Sequence, residues 1–333
     1  MGPPTPPLIS ILCAAHRPRR AHVEAAIASV LAQTEPRWEL IVSDDSADPE
    51  LADFCARLGD ARVRYVAHSE ALGAYGNHGA AMELALGAWI AILNQDDVYR
   101  PRFLERMLAV AERDGVDVVF SDHEIIDDAG FPLPELSDQT SHRWGRAELQ
   151  GGLQPSTEAL VVAQSIPGMM ASIFRAELLR GYQELDAGPA YDVWITALFV
   201  RHRARSSYVP ERLSAWRTHE ASATSQGPLA WSRGAAEVWN WLHVRIEAKS
   251  MRRQCLRKSE HAWLFHAGRC LRAGNAREAR RALAKAGSRI FSARGLVTIL
   301  WAYWPGGGSK VFGALARWRS RRDGNANPLR DVR

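Results

Sequence analysis

Two pairs of adjacent aspartates are the residues of this 333-residue chain whose types and positions most favour chemistry. Asp44 and Asp45 follow one apolar run, and Asp96 and Asp97 follow another. Neighbouring carboxylates repel each other, and the end of a buried strand is a costly place for charge. Such a pair either forms a solvated turn that begins the next helix or binds a cation or a polar ligand. Hard cations such as Mg²⁺ take one or two carboxylates and complete their ligand shell with phosphate and water.

The elements that must position these pairs alternate between strands and helices. Apolar runs predict strands at residues 8–14, 38–42, 63–66, 89–93, 116–120 and 169–174. Helical periodicity predicts helices around residues 23–31 and at residues 49–58, 75–86 (capped by Gly87), 101–114 (beginning at Pro101) and 191–201. Residues 127–160 are predicted to be rich in loops. Strands that alternate with helices form a doubly wound, mostly parallel α/β sheet, whose ligands bind beyond the carboxyl ends of the strands.

The composition is that of a globular protein, since 47% of the residues are hydrophobic. The four cysteines are far apart, which favours free thiols in a reducing compartment over a zinc site. We expect no signal peptide at the N-terminus, and no run of about 18 apolar residues predicts a transmembrane helix. The first strand is followed by neither a GxGxxG nor a GxxxxGK[ST] motif, which argues against Rossmann and P-loop nucleotide binding.

The charge is divided unevenly along the chain. Residues 252–333 hold 19 Lys and Arg against four acids, a balance of +15, so the rest of the chain carries −10. A nucleic-acid enzyme would have its positive charge around its site, so we expect no nucleic-acid partner. The sequence predicts a helical basic extension at residues 228–322, with a helix pair at residues 261–272 and 277–286 and a disordered tail at residues 323–333.

Several motifs occur together in a characteristic order. They are PLISILCAAHRP, SVLAQTEPRWELIVSDDS, RVRYVAHSEALGAYGNHG, GAWIAILNQDDVYRP, FSDHEIIDDAG, YDVWITAL and VPERLSAWRTHEASATS. As an ordered set they resemble the family 2 glycosyltransferases, which have the GT-A fold. The resemblance covers residues 8–225 and implies a GT-A-like catalytic domain there.

The resemblance assigns a role to each matching position. A nucleotide-sugar would be bound by residues from the ends of several strands and one helix: Ala14, Ala15, Arg17, Asp44, Asp45, Asn77, Asp97 and Arg217. Asn94-Gln95-Asp96 takes the place of the family's DxD motif. Asp96 and His219 would then bind a divalent cation, Mn²⁺ or Mg²⁺. Asn94 replaces the usual first aspartate with a weaker, neutral ligand.

The general base of the family belongs to a stretch resembling E-D-Y-D-L-W. Here the leading acids are replaced by Pro189 and Ala190, and Asp192 is the remaining acid of the motif. We therefore expect Asp192 to be the base, with Asp186 and Glu184 as the next candidates. An acid in the first turn of a helix is also an ordinary stabilising feature.

The resemblance implies an inverting transfer of a sugar from a nucleotide-sugar donor to a glycan or lipid-linked acceptor. A cytoplasmic location is expected, with residues 252–322 in peripheral contact with an anionic membrane surface. Alternatives are a catalytically impaired nucleotide-sugar-binding protein and an interaction protein that acts through its basic helical tail. A nucleotidyltransferase is disfavoured, because the loop after the first strand lacks glycine.

Overall fold

The protein is described by a computed structural model for residues 7–219 and 229–303. The chain divides between His219 and Glu220 into two units, whose described parts, residues 7–219 and residues 229–303, are each compact. The first unit contains both aspartate pairs and the motif of the expected base. The second unit contains the basic helical extension, and the predicted disordered tail at residues 323–333 lies outside the described residues.

The first unit is built on one sheet. The strands that the described residues form are β1 (Ile9–Ala15), β2 (Trp38–Asp44), β3 (Val63–Ala67), β4 (Trp89–Ile92), β5 (Val98–Tyr99), β6 (Val118–Ile126), β7 (Gly152–Leu153), β8 (Ser172–Arg175) and β9 (Ser206–Arg217). Their order is β3-β2-β1-β4-β8-β6-β9-β5, and β7 pairs with β9. The ladder from β3 through β2 and β1 to β4 is parallel, as is β6 with β9. Strand β8 runs antiparallel between β4 and β6. The predicted α/β class is confirmed.

Helices cover the sheet. In the described part of the first unit they are α1 (Arg20–Leu31), α2 (Pro49–Leu58), α3 (Gly73–Glu83), α4 (Phe103–Asp114), α5 (Pro134–Arg143), α6 (Thr157–Ala163) and α7 (Tyr191–Arg201). Side chains of α1, α2 and α4 pack with alternate residues of β1, β2 and β4 into one buried apolar cluster. The central strands are buried along nearly their whole length, which is why they are apolar at successive positions rather than alternating.

Two predicted helix boundaries were wrong. Helix α3 ends at Glu83, so Gly87 is not its cap. A Cβ on Gly87 would stand 2.5 Å from the backbone nitrogen of Ser10, so glycine is required there because two backbones approach closely. Helix α4 begins at Phe103 rather than at Pro101, which belongs to the preceding turn.

The prediction that residues 127–160 are rich in loops was only partly right, because α5 and the beginning of α6 lie there between the loops. Pro134 occupies the first turn of α5, and the hydroxyl of Ser156 caps α6 by accepting from the Ala159 N–H at 3.1 Å. Strand β9 was not predicted at all. Its charged residues Glu211 and Arg212 interrupt the apolar pattern by which a strand is recognised.

The second unit is helical where it is described. Its helices are α8 (Leu229–His243), α9 (Lys249–Arg272), α10 (Ala276–Lys285) and α11 (Ala293–Tyr303). The predicted helix pair is present, but α9 begins 12 residues earlier than the sequence pattern indicated. Apolar residues of α9 and α10 form the core of this unit. Among the helices that the structure describes, none combines the length and hydropathy needed to cross a bilayer.

Candidate active site

The site is assembled where β1, β2 and α3 meet. The carbonyl of Ala15, the last residue of β1, accepts from the Asp45 N–H at 2.9 Å and from Asn77 Nδ2 at 3.0 Å. Asn77 is buried on α3, and its Oδ1 finds no hydrogen-bond partner among the described residues. One carbonyl therefore fixes both the loop after β2 and the side chain of Asn77.

Both carboxylate oxygens of Asp44 accept hydrogen bonds from the protein. Its Oδ1 accepts from the Ser46 N–H and hydroxyl at 2.9 and 2.6 Å, and its Oδ2 accepts from the Asp48 N–H at 2.7 Å and the Tyr65 hydroxyl at 2.9 Å. Burial opposes ionisation of this carboxyl, but those hydrogen bonds outweigh it and lower the pKa of Asp44. Asp44 thus shapes the loop as a buried carboxylate with both oxygens in use.

Asp45 stabilises the beginning of α3. Its Oδ1 accepts from the Leu72 N–H, and its Oδ2 accepts from the Gly73 N–H at 2.8 Å. Those N–H groups precede or begin the helix, where backbone donors lack intrahelical partners. The aspartate pair after β2 therefore holds the backbone around the predicted nucleotide pocket, and its carboxylates are directed at the protein itself.

The loop after β1 is fixed by two further contacts. Arg17 has a left-handed backbone with φ 43°, and its N–H donates to the hydroxyl of Ser46 at 2.9 Å. Gln95 accepts from the His16 N–H at 2.8 Å through its Oε1, while its Nε2 lies 3.4 Å from the His16 carbonyl. Arg17 is exposed and the preceding Ala14 is half-buried, so both border the loop that the sequence assigned to the nucleotide.

Asp97 is the internal member of the second aspartate pair. It is fully buried, accepts from Asn94 Nδ2 at 2.7 Å, and accepts from the Arg217 N–H at 2.9 Å. Burial and the nearby charge of Asp96 raise the pKa of Asp97 well above its ordinary range. This carboxyl joins the end of β9 to the loop after β4, and the amide of Asn94 is used in the same contact.

Arg217 donates hydrogen bonds from the protein interior to the loop after β4 and to the loop after β6. Its Nε donates to the Asp96 carbonyl at 2.9 Å, and its Nη1 donates to the Asp128 carbonyl at 3.0 Å. The side chain is buried, so its positive charge acts on the site from within the protein. Gly130 has φ 94°, and a Cβ there would lie 3.3 Å from Arg217 Nη1, so the loop that follows β6 is packed closely on the guanidinium.

Asp96 is the member of the pair that faces a second potential ligand. Its Oδ2 lies 2.9 Å from Nε2 of His219, and both side chains are largely but not fully buried. His22 from α1 packs against His219, with ring centroids 5.2 Å apart. Burial lowers the pKa of His22, and the charge of Arg217 acts in the same direction.

The donor set of Asp96 and His219 fits a cation that is only partly bound by protein. In residues 7–219 and 229–303, no three His, Cys, Asp or Glu side chains converge so that they could hold a metal ion by themselves. One carboxylate and one imidazole suit Mn²⁺ or Mg²⁺ when diphosphate oxygens and water supply the other ligands.

Asp192 is half-buried, and one of its carboxylate oxygens has spare hydrogen-bonding capacity. It occupies the first turn of α7, and its Oδ1 is shielded from solvent with no partner in the described part of the chain. Burial raises the pKa of Asp192 to about 6, and backbone hydrogen bonds offset this only in part. A carboxyl with such a pKa suits a general base near neutral pH.

Tyr191 is influenced by the charge of Asp192 and by the charges of the loop after β4. Burial raises the pKa of the Tyr191 hydroxyl, and the charges of Asp192, Asp96 and Asp97 add to this effect. The ring stacks on His78 of α3, with centroids 4.0 Å apart. The charges of the base candidate and of the metal-ligand candidate therefore both act on one tyrosine, which packs on α3.

The two reserve candidates for the base have other partners. Asp186 Oδ1 accepts from the Gly188 N–H at 2.9 Å in a short turn before α7, and Glu184 forms an ion pair with Arg201. Ala190 is fully buried, so the position where the resemblance expects an acid lies in the core. Asp192 is the acid of this segment with an unpartnered, buried oxygen within the described residues.

Sequence reasoning missed several residues that shape this site. Gln95, His22, Tyr191 and His78 form contacts through loops and helices that are distant in the sequence. For Gln95, its place between Asn94 and Asp96 was the available signal. His22 lies only five residues after Arg17, but nothing in the helical pattern distinguishes it from an ordinary core histidine.

The chain is similar to curated proteins that are named as glycosyltransferases. It is 29% identical over 119 residues to the UDP-Glc:alpha-D-GlcNAc-diphosphoundecaprenol beta-1,3-glucosyltransferase WfgD of Escherichia coli, covering 36% of this chain and 47% of that protein. It is 29% identical over 158 residues to the succinoglycan biosynthesis protein ExoO of Rhizobium meliloti, covering 47% and 45%. The matches thus span about half the length of these relatives.

The fold is shared with a solved structure over most of the chain. TarS of S. aureus, residues 1–349 in complex with UDP-GlcNAc, matches 90% of this chain and 92% of its own with a TM-score of 0.61 and 14% identity. At that identity the likeness concerns the fold. The model of "Glycosyl transferase family 2" matches residues 11–175, about half of the chain and the part that holds β1 to β8. By this match, and by its agreement with the named relatives, residues 11–175 of the chain belong to glycosyl transferase family 2.

Proposed function

We propose that the protein is an inverting glycosyltransferase that moves a sugar from a nucleotide-sugar donor to a glycan or lipid-linked acceptor. The observations that carry this proposal are the pairing of Asp96 with His219 and the buried, unpartnered oxygen of Asp192 among the described residues; the charges of Asp96 and Asp192 both act on Tyr191. A diphosphate leaving group needs compensation of negative charge, and an acceptor hydroxyl needs a base. The site offers groups for both tasks.

The donor is bound by the loops after β1, β2 and β4. Asn77 offers an unpartnered buried oxygen at this edge, and Arg17 and Ala14 border the loop after β1. Asp44 and Asp45 hold the shape of the pocket through their contacts with backbone N–H groups. A divalent cation, when bound by Asp96 and His219, supplies positive charge against the diphosphate.

The residues of this chain perform a single displacement. The acceptor hydroxyl oxygen bonds to the anomeric carbon of the sugar while the bond from that carbon to the diphosphate oxygen breaks. The hydroxyl proton passes to the carboxylate of Asp192, and the nucleoside diphosphate leaves. With one base and no protein nucleophile in the step, the configuration at the anomeric carbon inverts. The buried charge of Arg217 adds to the positive potential behind Asp96.

Support for the acceptor class comes from a relative. The Escherichia coli relative WfgD is named for a substrate that is a sugar linked to undecaprenol diphosphate. We extend this class to the present protein as part of the proposal. The acceptor would then be presented at a membrane, in keeping with a cytoplasmic protein in peripheral contact with an anionic surface through residues 252–322.

A second candidate function is the binding of nucleotide-sugars without catalysis. Asn94 donates to Asp97 where the family has a carboxylate, and Ala190 replaces an acid. Both replacements favour a catalytically impaired protein that binds nucleotide-sugars without turnover. Such a protein would be stabilised by the same donor but would release no nucleoside diphosphate.

A thermal-shift screen against a panel of nucleotide-sugars, with Mn²⁺ and with a chelator, tests the proposal. A bound donor raises the apparent unfolding free energy by roughly 3 kcal/mol at a hundredfold excess over Kd. The proposal predicts stabilisation by one class of donor that depends on the cation, followed by release of nucleoside diphosphate. Stabilisation by nucleoside triphosphates with release of pyrophosphate, or by no nucleotide-sugar, would contradict it.

A further inference from the structure

The last described helix of the second unit presents an apolar surface to solvent. Phe291, Leu296, Leu300 and Tyr303 are 78%, 51%, 48% and 66% exposed, and we name these four side chains the apolar ridge. Leu296, Leu300 and Tyr303 are spaced four and three residues apart on α11, so they lie on one face of the helix. Phe291 precedes that helix in a short 3-10 turn.

The opposite face of α11 explains why the ridge is exposed. Gly295, Thr298 and Ala302 are buried against the second unit, and Trp301 is partly buried against the same core. Helix α11 therefore has one face that packs within the second unit and a second, apolar face that is exposed to solvent. Exposed apolar side chains in a contiguous row mark a surface that contacts something else.

The surroundings of the ridge are basic. Residues 252–303 hold twelve Lys and Arg and two glutamates. Of the two glutamates, Glu260 is buried and accepts from the Ser288 hydroxyl at 2.7 Å, so it adds little negative charge to the surface. Arg277, Arg281 and Lys285 are exposed on α10, whose buried side is made of Ala279, Ala282 and Leu283.

Helix α10 lies directly beside the ridge. Arg280 Nε donates to the Ala302 carbonyl at 3.1 Å, and its guanidinium carbon lies 5.0 Å from the centre of the Tyr303 ring. Through Arg280, the basic helix α10 thus borders the apolar ridge on α11. Apolar side chains enter the headgroup boundary of a bilayer, an interfacial tyrosine suits its edge, and flanking cations are attracted to anionic lipids.

We propose that the apolar ridge and the basic face of α10 form a docking surface for an anionic lipid membrane. Charge complementarity selects this occupant, since an apolar strip with a cationic border matches a bilayer with acidic headgroups. The inference rests on the proposed function, because a lipid-linked acceptor would require the enzyme at such a surface. It narrows the membrane-contacting region predicted at residues 252–322 to α10, α11 and Phe291, which are all among the described residues.

Vesicle sedimentation of the full chain tests the surface. The probes are vesicles of phosphatidylcholine alone and of phosphatidylcholine with phosphatidylglycerol. The expected result is sedimentation with the anionic vesicles at low salt and release as the salt concentration rises. The variant Leu296→Ser/Leu300→Ser should reduce the partition coefficient by about tenfold or more, since two exposed leucines leave the boundary.

Matched variants keep the result interpretable. Leu86→Ser/Val244→Ser removes two comparably exposed apolar side chains elsewhere and should sediment as the unchanged protein does. Arg277→Gln/Arg281→Gln/Lys285→Gln should weaken binding and flatten its salt dependence. Circular dichroism and cation-dependent donor binding without vesicles show that each variant is folded.

Two results would overturn the inference. One is a full-length protein that stays in the supernatant with anionic vesicles at low salt. The other is a ridge variant that sediments like the unchanged protein, or that loses only self-association measured by light scattering. Donor binding and nucleoside diphosphate release are measured without vesicles, so a failed docking surface and a failed transferase activity are separate outcomes.

Discussion

The two aspartate pairs look alike in the sequence but differ in the structure. In the pair after β2, every carboxylate oxygen accepts a hydrogen bond from the protein, which fixes the loop and the beginning of α3. In the pair after β4, Asp97 is bound in the same internal way, whereas Asp96 faces His219. Adjacent acids therefore divide into those that build the site and one that is available to a ligand.

The same distinction applies to Asp192. Its Oδ1 is buried without a partner within the described residues, which raises its pKa to about 6, whereas hydrogen bonds lower the pKa of Asp44. A carboxylate that the protein has satisfied contributes stability, and one left unsatisfied is poised to take a proton. Removing the charge of Asp44 should therefore lower the free energy of unfolding, whereas removing the charge of Asp192 should lower the rate of transfer.

The largest effect is expected for Asp96→Asn. Losing this ligand should reduce turnover by roughly 1,000-fold, the order of several kcal/mol of charge stabilisation. Calorimetric titration with the nucleoside diphosphate should also lose its dependence on Mn²⁺. Asp97→Asn is the matched control, because an amide can still accept from the Arg217 N–H, and its cation-dependent binding should persist. Equal loss in both variants would remove the distinction between the two members of the pair.

A somewhat smaller effect is expected for Asp192→Asn. Donor affinity should stay nearly unchanged while the rate of transfer falls by about 100-fold or more, the usual contribution of a general base. Steady-state kinetics with saturating donor separate the two quantities. Asp186→Asn, in the same segment, serves as the control and should transfer normally. Normal transfer by the Asp192 variant would move the base to another residue.

The smallest effect is expected for Asp44→Asn, and it concerns stability. Hydrogen bonds to a buried carboxylate are lost, so the free energy of unfolding should fall by about 1–3 kcal/mol. Because the folded pKa lies below the unfolded one, this contribution is present above the ordinary pKa and disappears as pH falls through the folded pKa. Urea unfolding at pH 7 and pH 3 measures it, with the exposed Asp53→Asn as a control. An unchanged unfolding free energy at pH 7 would contradict the structural role.

Much of the fold was predictable because the central strands are apolar and the helices are periodic. Helix α7 was predicted with its observed bounds, since Trp194, Ile195 and Leu198 mark its buried face. Strand β9 was missed because its pairing with β6, rather than its own pattern, makes it a strand. Tertiary context decided that element, as it often does for strands.

The site was predictable to a different extent. The positions of the acids at strand ends followed from the alternation of strands and helices. Their division of roles did not, because it depends on which backbone N–H groups reach each carboxylate. Asp45, for example, is bound by residues 27 and 28 positions away. Gln95 similarly contacts His16 across 79 residues, a relation that no local pattern contains.

The measurement that tests the account most directly is the pH dependence of kcat for transfer, once the screen has identified a donor. Asp192 must be deprotonated to accept the proton, so kcat should rise with pH through about 6 and level off above it. In Asp192→Asn the residual rate should lack this limb. A profile that is flat between about pH 5 and 7, roughly one unit on either side of that pKa, or a limb that persists in the variant, would contradict the assignment of Asp192 as the base.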